Sequence, residues 1–299
     1  MKILVTDGLA KEALAQLRTF AEVDEHFYEP EALGEALKGY DAVIIRSATE
    51  VRKEQIDLAK TGALKLIVRA GVGIDNIDHA YAKDQGIHVR NTPSANANAM
   101  AELTLAQLFA ISRFIAPANV TMRQGQWNKK NYRGVELAGK TLGLIGFGHT
   151  ARLLAQKCAA LGMDILYYDI VGADDQVPYT YMEMAALIQK ADFITLHTPA
   201  SKDGKPLLDA AAIASMKDGV RLVNCARGGL VDEQALIDAL QSGKIAAAGL
   251  DVFVGEPEVN PDLVNQPNVS VTPHLGAQTY EAQARVGQEV VDVVKEELC

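Results

Sequence analysis

The stretch Gly146-Phe147-Gly148-His149-Thr150-Ala151 constrains the fold of this chain more than any other. It follows an apolar run, Thr141–Ile145, that reads as a strand, and it leads into a helix-length segment, Thr150–Leu161. Gly146 permits a tight turn, and Gly148 lets backbone approach a pyrophosphate seated on the helix N-terminus. Ala151 is small enough for the helix to pack close on the strand. The next strand, Asp164–Tyr168, is followed by Asp169. An acid there is placed to hydrogen-bond the ribose hydroxyls of NAD and to repel the 2′-phosphate of NADP. Glycine spacing alone would describe any glycine-rich strand–helix turn. Strand, turn, helix, strand and acid in this order predict a parallel α/β sheet with NAD as its cofactor.

The same alternation runs through the chain. Lys2–Thr6, Asp41–Arg46, Leu64–Arg69 and Gly86–Arg90 read as strands, separated by helix-length segments Leu9–Phe20, Pro30–Lys38 and Val51–Lys60. Such alternation builds parallel sheets with crossover helices. Asn91-Thr92-Pro93 closes this unit, because Pro93 disfavours helix at Thr92. A long helix is expected from Ala97 to Ser112, and Pro117 suits the first turn of another. A second unit starts near Gly139. Its further strands are Phe193–His197, Val220–Cys225, Gly249–Phe253 and Val269–Thr272, with helices at Thr180–Gln189 and Glu233–Gln241. The closing helix, Thr279–Leu298, carries Ala282, Val286, Val290 and Val293 on one face. The expected fold class is therefore α/β, built from two doubly wound parallel-sheet domains.

Composition narrows the partners. With 299 residues and 48% apolar side chains the chain has material for two cores, and it is not a disordered protein. A net charge of −9 repels polyanions, which argues against nucleic acid and anionic membrane surfaces as partners. The 3 cysteines, Cys158, Cys225 and Cys299, are odd in number and far apart. That excludes a disulfide framework and a zinc ribbon, gives no metal site, and fits a reducing cytoplasm. The longest run without a charged residue, Leu263–Tyr280, holds Pro267 and Pro273 and reads as loop, strand and loop.

Several segments, taken in order, carry a resemblance over nearly the whole chain. They are Ile45-Arg46-Ser47-Ala48-Thr49, Arg69-Ala70-Gly71-Val72-Gly73-Ile74-Asp75-Asn76, Asn91-Thr92-Pro93, the glycine turn and His197-Thr198-Pro199. Further along come Asn224-Cys225-Ala226-Arg227-Gly228-Gly229-Leu230-Val231-Asp232-Glu233, Leu250-Asp251-Val252-Phe253 with Glu256-Pro257, and Thr272-Pro273-His274-Leu275-Gly276-Ala277. Together they resemble the D-isomer-specific 2-hydroxyacid dehydrogenases, and within them the phosphoglycerate dehydrogenase branch. The resemblance implies two Rossmann-like domains with a cleft between them. The substrate-binding domain would be discontinuous and flavodoxin-like, residues 1–93 plus 280–299, and the NAD-binding domain would be residues 94–279.

The resemblance also implies roles. Arg227 would hold the substrate carboxylate and carbonyl, since its planar fork grips a carboxylate as a lysine cannot. His274 would be the acid/base at the carbonyl oxygen, with Glu256 orienting it and favouring its protonated form. His149 and Thr150 would meet the pyrophosphate after Gly146 and Gly148, and Asp169 the ribose. Thr198, Cys225, Ala226, Asp251 and Gly276 would line the rest of the NAD site, with Asp251 on the carboxamide and Val72 against the nicotinamide end. The family commonly has a basic residue and Ile where this chain has His149 and Thr150, and Thr where it has Val72. Arg46, Ser47, Gly71 and Gly73 would offer donors to carboxylate and phosphate. Lys129, in a basic segment from Arg123 to Arg133, would lend a cation across a homodimer interface. The chain ends after its last helix, so no C-terminal regulatory domain and no serine feedback are expected.

The expected activity is NAD-dependent oxidation of D-3-phosphoglycerate to 3-phosphohydroxypyruvate, a step of serine biosynthesis. A hydroxypyruvate or glyoxylate reductase, or another D-2-hydroxyacid dehydrogenase, is the nearest enzymatic alternative. An NAD(H)-sensing, corepressor-like binding protein is the alternative of another class, because fold alone does not exclude it.

Overall fold

The computed structural model describes residues 1–201 and 203–299. In chain order the elements are β1 (Lys2–Val5), α1 (Lys11–Leu17), β2 (Glu22–Glu25), α2 (Pro30–Ala36), β3 (Ala42–Ile45), α3 (Lys53–Ala59), β4 (Leu66–Arg69), α4 (His79–Asp84), β5 (His88–Asn91), α5 (Ala97–Arg113) and α6 (Ile115–Arg123). They continue with β6 (Thr141–Ile145), α7 (His149–Ala160), β7 (Asp164–Tyr168), β8 (Thr180–Tyr181), α8 (Met184–Lys190), β9 (Phe193–Leu196), α9 (Ala210–Ser215), β10 (Val220–Asn224), α10 (Glu233–Ser242), β11 (Ile245–Leu250), α11 (Pro261–Val264), β12 (Val269–Val271) and α12 (Tyr280–Leu298). No single helix among the described residues is long and apolar enough to cross a membrane.

The chain forms two compact units, Met1–Ala97 with Ala277–Cys299, and Asn98–Gly276. The first has a 5-stranded parallel sheet in the order β2-β1-β3-β4-β5, the doubly wound order of flavodoxin. Its central strands read as continuous apolar runs because both faces are covered: Ala42–Ile45 are all buried. Helix α12 covers this sheet with Val286, Val290, Val291 and Val294, and Thr279 caps it by accepting the Ala282 N–H at 3.1 Å. The second unit has a 7-stranded parallel sheet, β12-β11-β10-β9-β6-β7-β8. The winding reverses between β6 and β9, and ligands of such sheets bind outside the carboxyl ends at that point.

Three differences from the sequence reading have physical reasons. The edge strand β2 is Glu-Val-Asp-Glu, whose charges hide it from a propensity reading and suit an exposed edge. It is held by Lys2, whose Nζ lies 3.1 Å from Asp24. The expected helix Thr180–Gln189 begins only at Met184, because Thr180–Tyr181 pairs with β7 as the outermost strand. The strand expected at Gly249–Phe253 lies earlier, at Ile245–Leu250. Its Ala and Gly content conceals it, and packing demands that content: a Cβ on Gly249 would lie 2.9 Å from Gln107 Cβ of α5.

Candidate active site

In the second unit the predicted residues gather in the loops that follow the strands. The glycine turn follows β6, Asp169 follows β7, Thr198 follows β9, Cys225 to Arg227 follow β10, Asp251 and Glu256 follow β11, and His274 to Gly276 follow β12. Lys129 is not among them. It is exposed in a short 3₁₀ turn, Lys129–Asn131, between α6 and β6.

At the glycine turn Gly146 has φ +87°, and a Cβ there would lie 2.6 Å from the His197 carbonyl oxygen. Only glycine suits such backbone and such proximity. Gly148 is the N-cap of α7, with open space where a side chain would stand and no side-chain cap on the helix. His149 is exposed at the first helical position, Thr150 is half-buried, and Ala151 is fully buried against the sheet. The Asp169 carboxylate accepts the Phe147 N–H at 2.7 Å and the Val171 N–H at 3.0 Å. Among the described residues the Thr198 hydroxyl, beside Gly146, is buried without a hydrogen-bond partner. An uncapped helix start, an open glycine, an acid at the strand end and an orphaned hydroxyl together fit a dinucleotide.

The loop after β10 is shaped by Asn224, which the sequence reading quoted without a role. Its side chain accepts the Ala226 N–H at 3.0 Å and donates to the Arg227 carbonyl at 2.8 Å. A polar residue that ends a buried strand was the available signal. Gly228 then lets this loop touch the loop after β11: a Cβ would lie 2.1 Å from the Phe253 carbonyl carbon. Arg227 Nη1 donates to the Ala226 carbonyl at 2.6 Å. The Cys225 thiol is buried, and burial pushes its pKa up to about 12, away from the thiolate form.

Glu256 and His274 meet. Glu256 Oε2 lies 2.7 Å from His274 Nδ1, and Oε1 accepts the Phe253 N–H at 2.7 Å. Burial raises the Glu256 pKa, but the His274 hydrogen bond, the Phe253 N–H and the charges of His274 and Arg227 outweigh it and hold the carboxyl below its usual range. A charged carboxylate makes Nδ1 the donor and leaves Nε2 as the ring nitrogen directed elsewhere. His274 adopts φ +54°, a left-handed conformation that costs a non-glycine residue energy and is found at functional sites. Asp251 holds it there. Its carbonyl accepts the His274 N–H at 2.9 Å, and its carboxylate accepts from Thr272 Oγ1 at 2.6 Å, Leu275 N at 2.7 Å and Gly276 N at 3.0 Å. This fully buried carboxylate, expected on the nicotinamide carboxamide, is thus engaged in fixing the His274 loop. Burial raises its pKa even against these donors. Gly276 is required where it stands, since a Cβ would lie 1.9 Å from Met100 Sδ.

In the first unit Arg46 and Ser47 follow β3, and Gly71, Val72 and Gly73 follow β4. Two residues without an assigned role build the β3 loop. Asp7 accepts the N–H groups of Arg46 (2.6 Å) and Thr49 (3.1 Å), and Asn76 donates to the carbonyls of Arg46 (2.6 Å) and Thr49 (2.7 Å). Arg46 is half-buried, and burial lowers its pKa while the Asp7 charge raises it. Ser47 and Val72 are exposed, and a Cβ on Gly71 would strike the Arg69 guanidinium.

Comparison with known proteins places this arrangement. Residues 105–276 match the family model described as D-isomer specific 2-hydroxyacid dehydrogenase, NAD binding domain. The chain is 44% identical to a hydroxypyruvate reductase of Thermotoga maritima over 99% of its own length and 98% of the relative's. It is 41% identical to a D-3-phosphoglycerate dehydrogenase of Methanocaldococcus jannaschii over its whole length, yet it spans only 57% of that protein. A glyoxylate reductase from Paecilomyes thermophila superposes with a TM-score of 0.91 at 30% identity, covering 99% of this chain and 94% of the other. The chain belongs to the D-isomer-specific 2-hydroxyacid dehydrogenases, and its cofactor is NAD.

Proposed function

We propose that this dehydrogenase oxidises D-3-phosphoglycerate to 3-phosphohydroxypyruvate, the reaction being reversible on the same groups. The observation that carries the substrate is Arg46. Among the described residues its guanidinium has no ion-pair partner within 4.0 Å although the residue is half-buried, and Ser47 stands exposed beside it. A half-buried guanidinium without an ion-pair partner suits an anionic group of the substrate, here a phosphate. The first unit, with Gly71 and Gly73, would then be the substrate-binding domain and the second the cofactor domain.

The chemistry rests on three side chains of the second unit. Arg227 grips the carboxylate and polarises the C2 oxygen. His274 Nε2 removes the hydroxyl proton of the alcohol, or returns it to the carbonyl oxygen in reduction. Glu256 fixes the tautomer that directs Nε2 outward and stabilises the imidazolium once the proton is taken. NAD, when bound, supplies the acceptor for the C2 hydride.

A second reading, reduction of unphosphorylated hydroxypyruvate, is supported by the Thermotoga relative, which matches over both full lengths. One assay separates the two: NADH formation from NAD with 3-phosphoglycerate beside glycerate, D-lactate and D-malate, and NADH consumption with hydroxypyruvate. A strong preference for 3-phosphoglycerate that Arg46→Ala abolishes supports the first reading. Equal or better use of the unphosphorylated acids overturns it.

The protein acts as a homodimer in this reading. Support comes from Ile115, Val120, Met122 and Trp127, all exposed along α6 and the turn beyond it, with Trp127 78% exposed. The 3 free cysteines fit a cytoplasmic location.

A further inference from the structure

The family motif accounts for the glycines of the dinucleotide turn but not for what holds the residue between them. Gly146 and Gly148 give the turn backbone freedom, and a bound dinucleotide must remove that freedom. In this structure much of it is already removed at Phe147. Its N–H is taken by Asp169 at 2.7 Å, and its carbonyl accepts from Arg152 Nε at 3.1 Å. Its ring stacks on Tyr167 with centroids 4.0 Å apart, and the Arg152 guanidinium lies 4.8 Å from its centroid. Arg152 is anchored in turn: Nη1 lies 2.7 Å from the Asp174 carboxylate. The Asp174 N–H donates to the Tyr167 hydroxyl at 2.7 Å. The contacts close into a ring that runs Phe147, Arg152, Asp174, Tyr167 and back to Phe147.

We propose that Arg152 is a positioning residue for the cofactor, acting through Phe147 to keep Gly148 and the first N–H groups of α7 set for the pyrophosphate before NAD arrives. The residue directly after the second glycine is His149, which stands exposed. Here the arginine stands one turn into α7, and its charge is committed to Asp174. It therefore works through the backbone it holds. Arginine suits the task and lysine does not. One planar group donates to a carbonyl, pairs with a carboxylate and lies near an aromatic ring at once, whereas an ammonium on a flexible stem cannot hold all three.

The test is cofactor binding to the full chain, measured for NAD by calorimetry and for NADH by its fluorescence. It rests on the NAD site alone, so it is independent of which hydroxy acid is the substrate. Arg152→Gln is expected to weaken both cofactors roughly tenfold. The KM for NAD should rise in step, while turnover at saturating NAD falls far less. Arg152→Lys should recover little of the loss. Asp174→Asn, which frees the arginine from its anchor, should weaken binding in the same direction by a smaller factor. A melting temperature that drops in Arg152→Gln with cofactor affinity unchanged would mean a purely structural ion pair and overturn the proposal. Should Arg152→Gln fail to fold, Arg152→Lys and Asp174→Asn decide: wild-type affinity in both overturns it, and weakened affinity in both supports it.

Discussion

At the scale of single residues, His274 is where sequence and geometry agree in detail. A histidine held at φ +54° by Asp251, with Nδ1 committed to Glu256 at 2.7 Å, has one nitrogen left for chemistry. His274→Ala should lower turnover by roughly 10²–10⁴. A near-normal kcat in a folded variant would remove it from the reaction. Glu256 makes a second prediction. Its carboxyl is held below the usual range, so it stays charged through neutral pH and keeps its hydrogen bond to His274 Nδ1. Glu256→Gln withdraws that support. The ring then loses the charged anchor at Nδ1, and kcat should fall in the folded variant while NAD binding is kept. An unchanged kcat would mean that Glu256 takes no part in the reaction. The sign for stability is the reverse of a base: the Glu256 contribution is present above its unfolded-state pKa and is lost as pH falls through the folded one.

At the scale of elements, the loops matter more than the strands that carry them. Arg227, Glu256 and His274 were singled out through the family resemblance, and each lies in a loop that follows a strand. Asn224 was not assigned, because its role is to bond Ala226 and Arg227 across a turn whose shape no spacing reveals. Nor was the function of Gly228, which admits the backbone of Phe253 and Val254. Gly228→Ala should therefore separate the Arg227 loop from the Glu256 loop, cost about 3 kcal/mol by overpacking, and depress kcat/KM beyond that loss of stability. Chemical denaturation and kinetics on the same preparation test it. A fall in stability with kcat/KM intact would show that the contact is only structural.

At the scale of the whole molecule, the two sheets have different histories in the sequence. The first-unit order β2-β1-β3-β4-β5 includes an edge strand too charged to read, and the second includes β11, whose first four residues, Ile-Ala-Ala-Ala, were hidden by their alanines. Assembly is the remaining prediction. If α6 and the following turn meet a second copy, wild-type protein should run as a dimer by size exclusion with light scattering. Val120→Asp with Met122→Asp should shift it to monomer while NADH binding survives. A monomeric wild type at micromolar concentration would sink the idea.

What the sequence determined alone was everything set by neighbours in the chain. The strand–turn–helix of the glycine turn, the acid after the second strand and the amphipathic closing helix all depend on residue type at short spacing, whereas Arg227, Glu256 and His274 were singled out by the family resemblance. What only the tertiary structure decided were the contacts between distant segments. Arg152 is joined to Asp174 across 22 residues, a pairing no motif announced, whereas the Glu256–His274 pair had been expected from the resemblance. Asp251 turns its carboxylate onto the His274 loop, 21 to 25 residues away. Such pairings leave no periodic trace, because they are selected by where the parallel strands end and not by the order in which the residues occur.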